Sequence, residues 1–155
     1  MSKAILEKFY SAFQAHDSKK MAECYHEDII FNDPVFHNLN HREATAMWAM
    51  LIERSKGQLE ISFDSVVGDD EMAQCIWEAD YEFSKTGNPV HNIIHSTMEF
   101  KDGLIIRHTD VFDFWRWSKM ALGLTGVLLG WSPMIKNRVK KIARMSLDKY
   151  LNENG

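Results

Sequence analysis

Apolar residues at helical spacing predict three helices in the first third of the chain. Ser2 is placed to cap the first helix, and the second begins near Asp17 or Ser18. Asn40 and Glu43 have the spacing of a capping box, so the third helix begins there. The predicted apolar stripes are Ile5, Leu6, Phe9, Tyr10 and Phe13 in the first helix, Met21, Ala22 and Tyr25 in the second, and Ala44, Met47, Trp48 and Leu51 in the third.

From Leu59 onward the apolar period changes to two, which predicts four consecutive strands. Glycine-containing turns at 68–70, 86–88 and 101–103 separate them, so they form an antiparallel meander. A brief strand before the third helix ends at Asp33, because Pro34 follows. This order predicts an α+β fold in which the helices cover one face of a strongly curved sheet.

The last strand carries His108 and Asp110 on the face that alternation predicts to be buried. Their apolar neighbours on that face are Leu104, Ile106, Phe112 and Phe114. Burying an unpaired carboxylate lowers the stability of the fold by several kcal/mol. The two groups must therefore have a hydrogen-bonding partner, contact water in a cavity, or take part in the function of the protein.

Two registers are open for the last two strands. Apolar matching favours the one in which Phe100 lies opposite Leu104, and His108 then pairs with Ser96. In the other register, Lys101 lies opposite Leu104 and His95 lies beside Asp110.

In the favoured register, Asn92 and Ser96 share the inner face with Trp77 and Tyr81 of the preceding strand. An aromatic wall with a few convergent polar groups is typical of a small-molecule site. The alternative interpretation is that His108 and Asp110 satisfy each other as a buried pair.

Composition limits the class of protein. With 155 residues and 45% hydrophobic residues, the chain predicts one globular domain, and its net charge of -4 gives no reason to expect nucleic acid as a partner. Cys24 and Cys75 lack a CxxC spacing and no apolar signal segment is present, so we expect a reduced, cytoplasmic protein. His37 and His41 lack a third ligand, so we expect no metal site. The sequence has no Gly-rich phosphate-binding loop, so we expect no cofactor.

Residues 2–114 resemble a known family. The segments "AHD", "YHEDIIFNDPVF" and the closing "DG.I.RH.D.FD" pattern are similar to the SnoaL-like polyketide cyclase and ketosteroid isomerase-like branch of the nuclear transport factor 2 superfamily. The resemblance implies a cone-shaped α+β barrel, an open apolar cavity and a homodimer.

The resemblance also implies candidate residues. Asp33 in "NDPV" matches the general base of ketosteroid isomerases, while Phe9 and Ser96 occupy their oxyanion-hole positions, with Tyr10 one residue away on a different face. Without two strong donors, steroid isomerisation is not supported. Asp110 in "TDVFD" matches the acid of limonene epoxide hydrolase-like enzymes, but the arginine and second acid of their water-activating triad are missing.

Two hypotheses follow. In the first, the protein is an isomerase-, cyclase- or hydratase-like enzyme that acts on a small apolar, carbonyl-bearing molecule without a cofactor, using Asp33, His108 and Asp110. In the second, it binds such a molecule in the same pocket without catalysis. The expected ligand-binding residues are Phe9, Phe13, Trp48, Trp77, Tyr81, Asn92, Ser96 and Phe112.

The C-terminal segment 115–155 extends the domain that residues 1–114 form. It contains the apolar run 120–131. From Ser132 onward the chain has six basic and two acidic residues, and the apolar residues recur at helical spacing, which predicts a basic amphipathic helix. We expect the segment to fold back as a lid that buries Trp115, Leu122 and Leu128, with the basic helix held on the acidic body. Attachment to a membrane surface through the same segment is the less favoured alternative.

Overall fold

A computed structural model describes residues 2–154 of the chain. The helices are α1 (Ser2–Gln14), α2 (Ser18–Glu23), α3 (His41–Arg54), α4 (Phe114–Leu122), α5 (Leu124–Leu129) and α6 (Pro133–Asn154). The strands are β1 (Tyr25–Asn32), β2 (Glu60–Gly68), β3 (Met72–Glu82), β4 (Pro89–Lys101) and β5 (Leu104–Val111). The predicted α+β fold with three N-terminal helices and a C-terminal helical extension is confirmed.

The strands form one sheet in the order β1-β5-β4-β3-β2. The meander is antiparallel as predicted, whereas β1 joins β5 in parallel. Register breaks occur in the β1–β5, β2–β3 and β4–β5 pairs, and such bulges bend a sheet. Helices α1 and α3 cover one face, so the main core lies between them and the sheet.

The ends of the N-terminal elements follow local chemistry. Asn40 and Glu43 form the predicted capping box, each accepting the other's backbone N–H, and Asp17 caps α2. Ser2 differs from the prediction, because it lies inside α1 and its hydroxyl donates to the Asp69 carbonyl. Tyr25 begins β1 rather than belonging to the second helix.

The register of β4 and β5 matches neither predicted alternative throughout. Lys101 pairs with Leu104 across a two-residue turn, but Ile106 is an extra residue on β5, so that Met98 pairs with His108 and Ser96 with Asp110. The bulge keeps His108 and Asp110 on the inner face. It also buries Ile105 completely, so the prediction that Ile106 lies on this face and Ile105 outside is wrong.

The C-terminal helices do not form the expected lid. Helix α4 packs on the end of the sheet through Phe114 and Trp117, and α6 lies across α3. Trp115 and Leu128 are 43% and 59% exposed, so their predicted burial is wrong, and Leu122 is only half-buried. In the described residues, no helix combines the length and apolarity needed to cross a bilayer.

Candidate active site

His108 lies at the centre of a group of aromatic side chains and is completely buried. Its ring stacks on the indole of Trp48, with centroids 5.9 Å apart and planes at 19°. The rings of Phe31 and Phe9 meet it edge-on, with centroids at 5.0 and 5.4 Å. These contacts fix the plane of the imidazole within the core.

Both ring nitrogens of His108 have hydrogen-bond partners. Nε2 lies 2.9 Å from Oδ1 of Asp110, and Nδ1 lies 2.8 Å from the hydroxyl oxygen of Tyr25. The indole N–H of Trp48 in turn donates to that hydroxyl oxygen over 2.8 Å. A buried chain therefore runs from Trp48 through Tyr25 and His108 to Asp110.

The donors in this chain set the tautomer of His108. The Trp48 N–H can only donate, so the Tyr25 oxygen accepts it, and Nδ1 of His108 is the acceptor within reach of the Tyr25 hydroxyl hydrogen. With Nδ1 accepting, a neutral imidazole carries its hydrogen on Nε2, which donates to the Asp110 carboxylate. The geometry therefore supports a neutral His108 beside an ionised Asp110.

Tyr10 and Ser96 border the same pair from the opposite side. The Tyr10 hydroxyl donates to Oγ of Ser96 over 2.8 Å and lies 3.3 Å from Nε2 of His108, while Oγ of Ser96 lies 3.1 Å from that nitrogen. Burial raises the pKa of both Tyr10 and Tyr25 well above the usual value, so both hydroxyls keep their protons. The expectation that Tyr10 faces elsewhere is therefore wrong.

Asp33 follows β1 and lies at the edge of this cluster. Its Oδ1 accepts the backbone N–H groups of Val35 and Phe36 over 2.7 and 2.6 Å. Burial raises the pKa of Asp33 to about 7 despite these two bonds, and the Asp110 charge raises it further. Asp33 is thus electrostatically coupled to the pair, although no hydrogen bond within residues 2–154 joins it to them.

The predicted aromatic wall is present but closely packed. Trp77 lies against Tyr10, Phe13 and Trp48, with ring centroids 5.7, 5.5 and 6.1 Å apart. These rings are in direct contact with one another. The indole N–H of Trp77 is buried and has no hydrogen-bond partner among the described residues.

The remaining predicted contact residues lie toward the α4 end of the sheet. The Tyr81 hydroxyl accepts the indole N–H of Trp117 over 2.8 Å, and Asn92 is buried on β4. Phe112 is half-buried and contacts both the main core and the cluster under α4. Polar and aromatic side chains thus continue from His108 to this end of the molecule.

Two surface pockets lie away from His108. One, of about 260 Å³, is lined by Ser2, Ile5, Asp70, Phe100, Asp102 and Gly103. The other, of about 370 Å³, is lined by Ile93, His95, Val111, Phe112, Asp113 and Arg116. Of the predicted site residues, only Phe112 lines either pocket. Within the described part of the chain, no group of three His, Cys, Asp or Glu residues is arranged to hold a metal ion.

Tyr25 and Tyr10 are the network residues that sequence reasoning missed. Tyr25 shares the parity of Ile29 and Phe31, which alternation places on the inner face, but the exposed Glu27 interrupts that pattern. Tyr10 belongs to the predicted apolar stripe of α1, and a buried tyrosine hydroxyl usually finds a partner. That requirement was the signal available in the sequence.

Comparison with solved structures shows the same fold in proteins of low identity. A candidate polyketide cyclase from Streptomyces antibioticus is 15% identical, with a TM-score of 0.65 over 78% of this chain and 97% of that one. A candidate polyketide cyclase from a Silicibacter species is 17% identical, with a TM-score of 0.60 over 76% and 93%. An LEH-like epoxide hydrolase of M. tuberculosis is 19% identical, with a TM-score of 0.59 over 81% and 92%.

A search of curated proteins found no match. The family profile described as "SnoaL-like domain" matches residues 6–108, which include all of β1 to β4 and most of β5 up to His108. This match covers more than half of the chain, and the α+β fold agrees with it. The protein therefore belongs to the SnoaL-like family.

Proposed function

We propose that this protein binds a small apolar molecule with a carbonyl group. We propose further that it catalyses proton transfer to or from that molecule, as isomerases and cyclases do. The observation that carries the proposal is the buried His108–Asp110 pair beside Asp33, whose pKa is about 7. A general base works best when its pKa lies near the working pH, and the environment of Asp33 provides that match.

Asp33 is the group that would move the proton. Both of its backbone hydrogen bonds end on Oδ1, so Oδ2 accepts none from the described residues. His108 has no free lone pair in this arrangement, because Nδ1 accepts from Tyr25 and Nε2 carries a hydrogen. Its role is to donate a hydrogen bond to Asp110 and orient that carboxylate while Asp33 carries the proton.

The carbonyl group of the ligand would need a hydrogen-bond donor. The buried indole N–H of Trp77 has no partner, and leaving such a donor unsatisfied costs roughly 1–3 kcal/mol. A ligand oxygen that accepts this N–H would recover that cost. Since Trp77 packs against the rings of Tyr10, Phe13 and Trp48, a ligand that reaches its N–H must displace some of these side chains.

Binding without catalysis is the second candidate function. The observation that favours it is that both ring nitrogens of His108 already have partners within the protein, as expected of a structural pair. The two functions predict the same ligand class and differ in whether a proton moves.

Hydrogen exchange into a panel of apolar ketones distinguishes them. Protein and ketone are incubated in D2O, and deuterium at the carbon next to the carbonyl is measured by mass spectrometry. We expect catalysed exchange that falls about 100-fold or more in Asp33→Asn, since general base catalysis contributes at least that factor. Asp28 is an exposed aspartate on β1, the strand that precedes Asp33, so Asp28→Asn serves as the matched control and should retain full exchange. Ligand binding without exchange would contradict catalysis and leave the binding function.

A further inference from the structure

The hairpin of α4 and α5, with the start of α6, carries an exposed apolar surface. We call it the apolar hairpin face, and its members are Trp115, Leu124, Val127, Leu128, Leu129, Trp131 and Met134. Each is between 41% and 73% exposed. These seven, all within 20 consecutive residues, are half of the fourteen large hydrophobic side chains exposed in residues 2–154. So dense a group of exposed apolar side chains usually marks an interaction site.

Close packing holds these side chains outward. A Cβ atom on Gly126 would lie 1.9 Å from the carbonyl oxygen of Ser118, and one on Gly130 would lie 2.0 Å from its Oγ. Gly126 of α5 and Gly130, which follows the helix, therefore lie toward α4, while the leucines of α5 face solvent, the reverse of an ordinary surface helix. The exposure is built into the hairpin.

Anchoring bonds fix the hairpin to the body. The side chains of Thr86 and Asn88 both donate to the Ala121 carbonyl, over 2.6 and 3.1 Å, at the end of α4. The Trp117 indole donates to Tyr81 on β3. The apolar hairpin face is therefore presented by a firmly attached element.

The charge along the segment that carries this face has a single sign. From Phe114 to Leu147 the chain has seven basic residues and no acidic ones, namely Arg116, Lys119, Lys136, Arg138, Lys140, Lys141 and Arg144. Since the whole chain has a net charge of -4, the other residues together carry -11. The apolar hairpin face thus adjoins the cationic part of an otherwise acidic molecule.

Apolar and basic side chains alternate along the outer side of α6. Met134, Arg138, Lys141 and Met145 are exposed and follow one another at intervals of three or four residues, so they form one stripe. The opposite side of α6 contributes Leu147 and Leu151 to the core. A helix docked on the protein through one side therefore presents a mixed apolar and cationic side to the exterior.

We propose that the apolar hairpin face and the outer stripe of α6 bind the surface of an anionic lipid bilayer. Tryptophan and leucine side chains enter the boundary between headgroups and acyl chains, while Lys and Arg bind anionic headgroups. A second copy of this chain fits less well, because two-fold pairing of the face would bring two strongly basic segments together. Charge complementarity thus favours the anionic bilayer.

The test uses the full chain and two kinds of vesicle, phosphatidylcholine alone and an equal mixture of phosphatidylcholine and phosphatidylglycerol. We expect the protein to float with the mixed vesicles at low salt. The partition coefficient should fall at least about tenfold for phosphatidylcholine alone or at high salt. Failure of the full chain to float with mixed vesicles at low salt would overturn the proposal.

Two double variants assign the binding to this face. L124S/L128S removes exposed apolar side chains and should lower the partition coefficient at least about tenfold. V67S/M72S changes exposed apolar residues at the β2–β3 turn and should bind as the unmodified protein does. R138E/K141E should lose the preference for anionic vesicles, whereas K19E/K101E, which makes the same change of charge elsewhere, should keep it.

Three outcomes contradict this assignment. The first is that L124S/L128S floats as well as the unmodified protein, and the second is that V67S/M72S weakens binding equally. The third, seen by sedimentation equilibrium, is an oligomer that L124S/L128S abolishes while vesicle binding persists, which would make the face an interface between copies. All affected residues are exposed, so each variant should fold, and circular dichroism is the check.

Discussion

At the scale of single residues, Trp48 and Tyr25 determine the tautomer of the His108 imidazole. Trp48 determines the direction of the Tyr25 hydroxyl, and Tyr25 determines which nitrogen of His108 carries hydrogen. Asp110 then receives a hydrogen bond from a defined donor, Nε2 of His108. A side chain with no polar contact to Asp110 thereby fixes the form of the acid–imidazole pair.

Removing the Tyr25 hydroxyl should disturb this control. Tyr25→Phe leaves the Trp48 N–H and Nδ1 of His108 without partners in the core, and we expect the free energy of unfolding to fall by about 1–3 kcal/mol. Nitrogen NMR of the imidazole should show loss of the single Nε2–H tautomer. Tyr150→Phe, whose hydroxyl reaches Glu53 on the surface, is the control and should change stability by less than about 0.5 kcal/mol. An unchanged tautomer in Tyr25→Phe would contradict the assignment.

Asp33 should make stability depend on pH in the opposite sense to a salt-bridged aspartate. Its folded-state pKa of about 7 exceeds the ordinary 3.8, so the folded state holds the proton more tightly. The resulting stabilisation is complete below the ordinary value and is lost as the pH rises through about 7. Relative to Asp33→Asn, which keeps the Oδ1 acceptor, the unmodified protein should lose roughly 1 kcal/mol per pH unit over this interval. Urea unfolding at several pH values measures this difference.

The matched control for this titration is Asp28→Asn on β1, the strand that precedes Asp33. Asp28 is exposed, so its replacement should leave the pH dependence of the unmodified protein in place. Parallel stability curves for Asp33→Asn and the unmodified protein would show that Asp33 titrates normally.

At the scale of elements, sequence patterns predicted what local chemistry determines and missed what long-range pairing determines. The capping box at Asn40 and the inward faces of Ser96 and Asp110 follow from spacing alone. The extra residue Ile106 does not, because β5 must satisfy a tight turn to β4 on one side and a parallel partner on the other. Tyr25 pairs with Ile105 in that parallel ladder, and no local pattern indicates such a contact.

The candidate site shows the same division. Alternation placed His108 and Asp110 inside, and the proline after Asp33 placed that residue at a strand end. The two tyrosine hydroxyls that complete the network come from α1 and from the first residue of β1, which are distant in sequence from β5. The packing of α5 was also missed, because the apolarity of 120–131 indicated burial while its glycines decided which side is buried.

At the scale of the whole molecule, α1 and α3 cover one face of the sheet, and part of the opposite, outer face is exposed to solvent. Ile93 and Val111 are 37% and 57% exposed there, on the neighbouring strands β4 and β5. Ile105, expected beside them, lies instead in the core. The outer apolar surface is therefore smaller than the sequence suggests.

We still predict a homodimer through this outer face, as the family resemblance implies. Sedimentation equilibrium at micromolar concentration should give twice the monomer mass, and I93E/V111E should give the monomer because it buries charge at the contact. The control Val67→Glu alters a residue on β2 that is as exposed as Val111, and it should leave the dimer intact. A monomeric unmodified protein would exclude the interface.

The glycines at the α4–α5 contact have a consequence for how related sequences can be sorted. A Cβ atom at Gly126 or Gly130 would collide with Ser118, so a chain that keeps this hairpin must keep two glycines four positions apart after the final strand. That spacing can be read in a sequence without a structure. Within the SnoaL-like family it offers a signature that would separate the members carrying this hairpin from those that end at the barrel, and the age of the extension could then be traced on a family tree.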